Sequence, residues 1–136
     1  MSDVGKAVRY KLAATSEVTA ICKNNIYADA LEQGISPPAV IVEVPSANAT
    51  EDLNDTNRFI ASQVVVTAFG RTRDEANLLA KQIRDYALPA NLRGSIEGVD
   101  FKEVSLTGGP AEMAAEPLAG SNKWLRMTRQ TFTIWA

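Results

Sequence analysis

The sequence predicts an α+β domain, with a mostly antiparallel mixed sheet of about four to five strands covered by an N-terminal helix and one long amphipathic helix. Two observations carry this prediction. The stretches 39–44, 58–69 and 123–135 are rich in β-branched and aromatic residues, which favour strands. Residues 73–87 instead repeat apolar side chains at helical spacing. Sheet and helix are therefore expected to bury their apolar sides against each other.

The core of the fold is predicted between Arg58 and Leu88, RFIASQVVVTAFGRTRDEANLLAKQIRDYAL. Its first half reads as a strand that Gly70 interrupts. Thr72 and Glu75 then match a capping box, in which each side chain satisfies a backbone N–H that the new helix leaves unpaired. Apolar residues follow at helical spacing: Ala76, Leu79, Ala80, Ile83 and Ala87. Since Pro89 stops the helix, we expect one strand that leads directly into one helix.

The N-terminal part predicts a helix, a short helical turn and a short strand. An apolar stripe marks the first helix: Val4, Ala7, Val8 and Leu12. Asp3 is placed to cap this helix, and Ser16 to cap the helical turn that follows. Cys22 is interpreted as a small buried hydrophobe rather than a reactive thiol. Ile26 and Tyr27 indicate the short strand.

Two long connections are predicted between the strong strands. Residues 45–57, PSANATEDLNDTN, are expected to form the polar tip of an antiparallel hairpin, and loops of this length tend to be functional or mobile. Residues 107–122 are expected to form a flexible second hairpin arm. Its Gly-Gly-Pro sequence lacks the lysine and the spacing of a phosphate-binding loop. Residues 91–98 are predicted as a loop, and 99–104 as a further strand.

The tip at 45–57 contains three acidic residues, Glu51, Asp52 and Asp55, with no positive charge before Arg58. A divalent-cation site is one interpretation, because carboxylate oxygens suit calcium. The spacing does not match a calcium-binding loop, and the glycine such a loop needs is missing. We favour a solvated tip or an interface loop that orders on assembly, and we assign no metal ligands.

Composition and charge exclude several classes of function. The 14 basic and 16 acidic residues of the 136 give a net charge of −2, which argues against a general nucleic-acid-binding domain. Histidine is absent, so Ser–His–Asp and Cys–His catalysis are impossible within one chain. The single cysteine excludes an internal disulfide and a multi-cysteine zinc site. Without a signal-peptide core or an apolar run of about 20 residues, the expected site of synthesis is a cytoplasm.

Several phrases follow one another in a characteristic order along the chain. The opening helix is followed by SEVTAI and NIYAD, then by PPAVIVEV, then by QVVVTAFGRTRDEANLLAKQIRDYAL, and the chain closes with RQTFTIWA. This ordered set resembles the tail-completion or tail-terminator proteins of long-tailed bacteriophages and related gene-transfer particles. The resemblance spans residues 1–136 as a single domain. The arm at 107–122 is larger than a minimal member needs, so no role is carried over to it.

The resemblance implies a structural virion protein with no catalytic residue and no cofactor. Members assemble as a ring, typically a hexamer, that caps the head-proximal end of the tail tube and stops its polymerisation. The expected partners are further copies of the chain, the tail tube protein and a head-tail connector or stopper protein. DNA only passes through the lumen, and no membrane is involved. The expected localisation is the tail or neck of a virion assembled in the bacterial host cytoplasm.

Two groups of charged residues are candidate working surfaces of such a ring. Glu51, Asp52 and Asp55 are expected to face the lumen or an axial face, because acidic groups avoid the adhesion to DNA that Lys/Arg clusters produce. The candidate subunit or partner interface is basic: Arg71, Arg73, Lys123, Arg126 and Arg129. Opposite charges on different surfaces help to set head-to-tail register in a ring. For Arg71 and Arg73 the alternative is a solvated charge beside the helix cap.

Three other functions stay open at this point. The chain could be a head-side connector, a stopper or another neck protein of the same particle. It could also be a small cytoplasmic enzyme that uses Asp74, Glu75 or Asp85, although these residues lie in the first or last turn of a helix, where acids at the start are ordinary dipole partners. An oligomeric adaptor outside viruses is the last alternative.

Overall fold

The computed structural model describes residues 4–28, 38–49, 60–114 and 126–135. The helices are α1 (Val4–Ala14), α2 (Ser16–Cys22) and α3 (Arg73–Gln82), and α3 continues as a π turn (Ile83–Ala87). The strands are β1 (Ile26–Ala28), β2 (Ala39–Ala49), β3 (Ile60–Gly70), β4 (Gly94–Ile96), β5 (Val99–Phe101), β6 (Glu103–Ala114) and β7 (Arg126–Trp135).

Five strands form one sheet in the order β1-β2-β3-β7-β6. β1 runs parallel to β2, and every other neighbouring pair is antiparallel. β4 and β5 form a separate hairpin, whose turn residues Glu97 and Gly98 have φ angles of 48° and 78°. Two successive left-handed residues are typical of a two-residue hairpin turn. The predicted α+β fold with a mixed, mostly antiparallel sheet is confirmed.

The helices cover one face of this sheet, which we call the helix-side face. Side chains alternate between faces along a strand, and the strand residues of the buried core share one face: Val40, Val42, Val64, Val66, Ala68, Val104, Phe132 and Ile134. The predicted stripe of α1 packs into the same core: Val4, Ala7, Val8 and Leu12. From α3 come Leu79 and Ala80, and the π turn adds Ile83 and Ala87.

The junction between β3 and α3 follows the prediction in part. Thr72 Oγ1 accepts a hydrogen bond from the Glu75 N–H at 3.1 Å, which is one half of the capping box. The other half was predicted wrongly, because the Glu75 carboxylate accepts from the Arg71 N–H at 3.0 Å. The Arg71 guanidinium draws the carboxylate toward it. A Cβ on Gly70 would lie 2.6 Å from the Ala76 nitrogen, so this close approach of strand and helix requires glycine.

The long helix differs from the prediction at its C-terminal end. An unbroken α-helix was expected to reach Ala87, but the α-helical part ends at Gln82. The next five residues form the π turn, in which the Leu88 N–H donates to the Ile83 carbonyl at 2.8 Å, five residues back. The turn holds one more residue than an α-helical turn, and this changes which side chains face the core.

The cap of α2 is also different from the prediction. Thr15, not Ser16, is the N-cap residue, and its hydroxyl donates to the Lys11 carbonyl at 2.6 Å instead of capping the helix. Asp3, the predicted cap of α1, lies outside the described residues. Cys22 is buried, and burial raises the pKa of its thiol to about 11.

Both hairpins of the large sheet are longer than predicted. β2 continues through Ala49, although the tip was expected from residue 45 onward. Glu43 pairs with Val65 and Ser46 with Gln63, so the β2 side holds one extra residue there. Such a bulge accommodates Pro45, which has no N–H for the ladder. The remainder of the predicted tip, 50–57, lies outside the described residues.

The predicted flexible arm at 107–122 is likewise a strand up to Ala114, because β6 extends that far. Two register shifts near Gly108 absorb the extra residues. Gly109 has a φ of 82°, and a Cβ there would lie 2.4 Å from the Arg129 carbonyl oxygen. Residues 115–122 lie outside the described part of the chain.

The region before β6 also departs from the prediction. The expected loop at 91–98 contains β4, and the expected single strand at 99–104 is divided between β5 and the start of β6. The chain turns between them, and the Lys102 N–H donates to the Trp135 carbonyl at 2.7 Å. A two-residue turn at Glu97 and Gly98 makes β4 possible, because it returns the chain immediately on itself.

Candidate assembly surfaces

The two long hairpins open at opposite ends of the sheet. Residues 50–59 join β2 to β3 at the end where β7 finishes with Trp135. Residues 115–125 join β6 to β7 at the other end, where Arg126 pairs with Gly70. We call these the Trp135 end and the Gly70 end. The predicted tip and the predicted arm are therefore connected to opposite ends of the sheet.

The Gly70 end collects basic side chains that are distant in the sequence. Four of the five predicted interface residues lie there: Arg71, Arg73, Arg126 and Arg129. Arg126 pairs with Gly70 in the sheet register, and Arg129 pairs with Thr67. Lys123 lies outside the described residues. Arg71 and Arg73 follow the end of β3, and the other two arginines lie in the first four residues of β7. Antiparallel pairing of β3 with β7 therefore places both pairs near the same end of the sheet.

These arginines differ in their contacts. The Arg71 guanidinium lies 3.1 Å from the Glu75 carboxylate, and its hydrogen bonds hold the pKa of that carboxyl below its usual range. Arg126 and Arg129 are exposed, and neither has an ion-pair partner within the four described ranges. Arg129 is thus a candidate for contact with another molecule, whereas Arg71 already serves the helix start.

Three polar contacts fasten α3 to β7 and fix the position of the Gly70 end. The Thr128 hydroxyl donates to Asn77 Oδ1 at 2.6 Å. Gln130 is fully buried, and its amide donates to the Ala80 carbonyl at 2.9 Å. Its Oε1 accepts from the Arg84 guanidinium at 2.7 Å. These contacts were not predicted from the sequence, although strict alternation along β7 would have placed Gln130 on the same face as the apolar side chains that follow it.

The Trp135 end has a different charge character. Glu103 is exposed and pairs with Trp135 in the register. Asp100 forms an ion pair with Lys102 nearby in the chain. The predicted acidic residues Glu51, Asp52 and Asp55 lie outside the described residues, within the segment that joins β2 to β3 at this end.

The second face of the sheet lies opposite the helix-side face. On β7 and the neighbouring part of β3, it is formed by Val65, Met127, Arg129, Thr131 and Thr133. These side chains are half-buried except for Arg129, which is exposed, and none belongs to the core beneath the helices. The buried Thr67 hydroxyl on this face has no hydrogen-bond partner among the described residues. An unsatisfied group of this kind is uncommon in native structures.

A groove of about 560 Å³ runs between α1, the start of β1 and the β4–β5 turn. Its charged side chains are Lys6, Arg9 and Glu97, and Tyr10 adds an aromatic ring. No cysteine lines it. Across the described part of the chain, no group of three or more potential metal ligands occurs. Within the same ranges, no helix is long and apolar enough to span a membrane.

Residues 6–115 match the tail completion protein gp17 family. This is most of the 136-residue chain. The chain belongs to this family. The predicted family resemblance is thereby confirmed, and the protein is a structural component of a phage-type tail rather than a member of an enzyme family.

A solved structure shares the fold of this chain. A chain from the virion of a native gene transfer agent (GTA) particle superimposes with a TM-score of 0.64. The match covers 97% of this chain and 93% of that chain, at 14% sequence identity. At this identity the likeness establishes the fold. No curated protein sequence matches this chain.

Proposed function

We propose that the chain forms a ring, typically a hexamer, that caps the head-proximal end of the tail tube. The ring ends tube polymerisation and joins the tail to the head connector. The observation that carries this proposal is the match of residues 6–115 to the tail completion family. The virion origin of the structural relative supports it as well.

The different ends of the sheet support a protein that contacts two unlike partners. All subunits of a cyclic ring point the same way along its axis. In the proposed ring the strands run along this axis, so each end of the sheet contributes to one surface of the ring. The Gly70 end carries exposed Arg126, and the Trp135 end carries exposed Glu103. Surfaces of different charge discriminate between partners and steer their association. This arrangement suits a joint between a tail tube and a connector.

The test is to measure the mass of the purified chain in solution and to image it, alone and after mixing with tail tubes. We expect a ring with an axial hole, either alone or on the tube ends, and tubes that stop growing once capped. A compact monomer with no affinity for tubes would overturn the proposal. Binding to a purified connector protein but not to tubes would instead assign the chain to the head side of the neck.

We further propose that the basic residues Arg71, Arg73, Lys123, Arg126 and Arg129 belong to a subunit or partner interface. Arg126→Gln and Arg129→Gln together are expected to weaken ring formation or docking, and high salt should mimic the loss. Arg93→Gln, at an exposed site just before β4, serves as a control for lost positive charge. Equal effects of the control and the double variant would contradict this role.

The acidic residues Glu51, Asp52 and Asp55 are proposed to face the lumen or an axial face of the ring. Reversal of all three to Lys is expected to impair DNA passage or docking, because basic groups adhere to phosphates. The matched control replaces them with Gln, Asn and Asn, which removes charge without adding adhesion. Unchanged particle yield and infectivity in the Lys variant would rule out this placement.

A further inference from the structure

The π turn after α3 determines which side chain points outward. In an uninterrupted α-helix, Tyr86 would lie seven residues after Leu79 and therefore on the same buried face. The π turn adds a residue to this turn. Tyr86 is consequently 50% exposed, whereas Leu88 is 2% exposed. This π turn, which ends the helix, thus presents an aromatic ring to the outside.

Tyr86 is aligned with a second exposed apolar residue. Leu78 lies two α-helical turns earlier, on the same outer side of the helix, and is 49% exposed. The two side chains, which we call the α3 ridge, are separated by roughly 12 Å along the helix axis. Since Gln130 and Thr128 fasten the helix to the sheet, the ridge is held in place before any partner arrives.

The second face of the sheet is complementary to the α3 ridge in polarity and in charge. Its half-buried Val65, Met127, Thr131 and Thr133 offer an apolar and hydroxyl surface, and Arg129 is the exposed cation among them. The ridge is bordered by the exposed acids Asp74 and Asp85, with Lys81 between them in the sequence. The positive charge on one surface and the acids beside the other favour their contact.

We infer that the α3 ridge of one subunit packs on the second face of the next copy, with Asp85 directed toward Arg129. The ridge and the second face lie on opposite sides of one sheet, so they cannot meet within a single chain. Two different surfaces that meet between copies form a head-to-tail contact, which closes as a ring when the rotation allows. This contact rests on the proposed ring and specifies the surfaces that build it.

Disulfide trapping tests the contact directly. Tyr86→Cys combined with Thr131→Cys should yield a ladder of covalent oligomers on mild oxidation. Either single variant should give at most a dimer, because only the double variant carries both partners of a head-to-tail contact. The native Cys22 can stay, since it is buried and the pKa of its thiol is raised to about 11. Absence of a ladder in the double variant would overturn the contact.

Truncation of the ridge tests its energetic weight. Leu78→Ser together with Tyr86→Ser should raise the concentration for half assembly about tenfold or more, because buried aromatic residues dominate interface energies. Tyr10→Ser is the matched control, since Tyr10 is 54% exposed on α1. Below the assembly concentration, the unfolding curves of all variants should coincide with the wild type, as these side chains are exposed in the free subunit. An unchanged assembly concentration in the ridge variant would overturn the contact.

Charge exchange supplies a further test. Arg129→Asp should weaken assembly, and addition of Asp85→Arg should restore it. Failure of this rescue counts against the pairing of these surfaces.

The proposed ring and the proposed contact can be tested separately. If the double cysteine variant forms a ring but no covalent ladder, the proposed function stands and the contact is overturned. A covalent ladder from a chain that never forms a ring would support the contact and overturn the proposed ring.

Discussion

The helix-side face and the second face of the sheet are made by the same strands but have different compositions. Along β7, Phe132 and Ile134 point into the core, whereas Thr131 and Thr133 point to the second face. The helix-side face also buries Gln130, which is hydrogen bonded to the helix above it. The helix-side face therefore holds the main hydrophobic core, and the second face is the one that we propose for contact between copies. Four predictions test this division, beginning with the largest effect.

Phe132→Ala should destabilise the chain by about 3–5 kcal/mol, because it removes a fully buried aromatic side chain from the core. Thr131→Ala, one residue away on the second face, should change the free energy of unfolding by about 0.5 kcal/mol or less. Chemical denaturation in dilute protein measures both. Similar losses for the two variants would show that the faces do not differ in their contribution to folding.

Cys22 probes whether the helix-covered core is sealed. Burial raises the pKa of its thiol from 9.0 to about 11, so the thiolate fraction at pH 8 falls about 100-fold. We expect Cys22 to react with a thiol reagent at least about 100-fold more slowly than a cysteine introduced by Thr131→Cys on the second face. Denaturant should remove the difference. Rapid labelling of folded Cys22 would indicate an open core.

Gln130→Ala should lower the free energy of unfolding by about 2–3 kcal/mol, because the buried Ala80 carbonyl and the half-buried Arg84 guanidinium both lose a hydrogen-bond partner. The matched control is Gln63→Ala, at an exposed glutamine of the second face, which should cost no more than about 0.5 kcal/mol. Thermal unfolding distinguishes the two. Equal costs would mean that the buried hydrogen bonds add nothing to stability.

The helix-side face could be predicted from the sequence because its signals are local. The stripe of α1 and the spacing of Leu79, Ala80 and Ile83 follow the helical period, and these residues are buried as expected. The alternation along β7 was visible too. The fit of Gln130 beneath α3 was not, because its partners Ala80 and Arg84 are distant in the chain, 50 and 46 residues away.

The surfaces that we propose for contact were only partly predicted from the sequence, because they depend on strand register and on irregular backbone. The polar composition of residues 45–57 suggested a loop, but β2 continues through Ala49 with a bulge at Pro45. Nothing local distinguishes the π turn from an ordinary helix end, so neither the turn nor the burial of Leu88 was predicted. The basic residues were recognised from charge alone, whereas their gathering at the Gly70 end required the antiparallel pairing of β3 with β7.

The pair formed by Arg71 and Glu75 should give the smallest effect, because it lies at the surface beside the first turn of α3. Hydrogen bonding to Arg71 lowers the pKa of Glu75 in the folded chain below its ordinary value. The pair therefore stabilises the fold above the pKa that Glu75 has in the unfolded chain, and this contribution is lost as the pH falls through the lower pKa of the folded chain.

Glu75→Gln should reduce the melting temperature by about 1–2 °C at pH 7, and the difference should vanish in acid. Arg71→Gln should follow the same trend, since it removes the partner that lowers the pKa. A Glu75→Gln difference that persists unchanged in strong acid, where the carboxylate is protonated, would show that the cap, and not the ion pair, accounts for it.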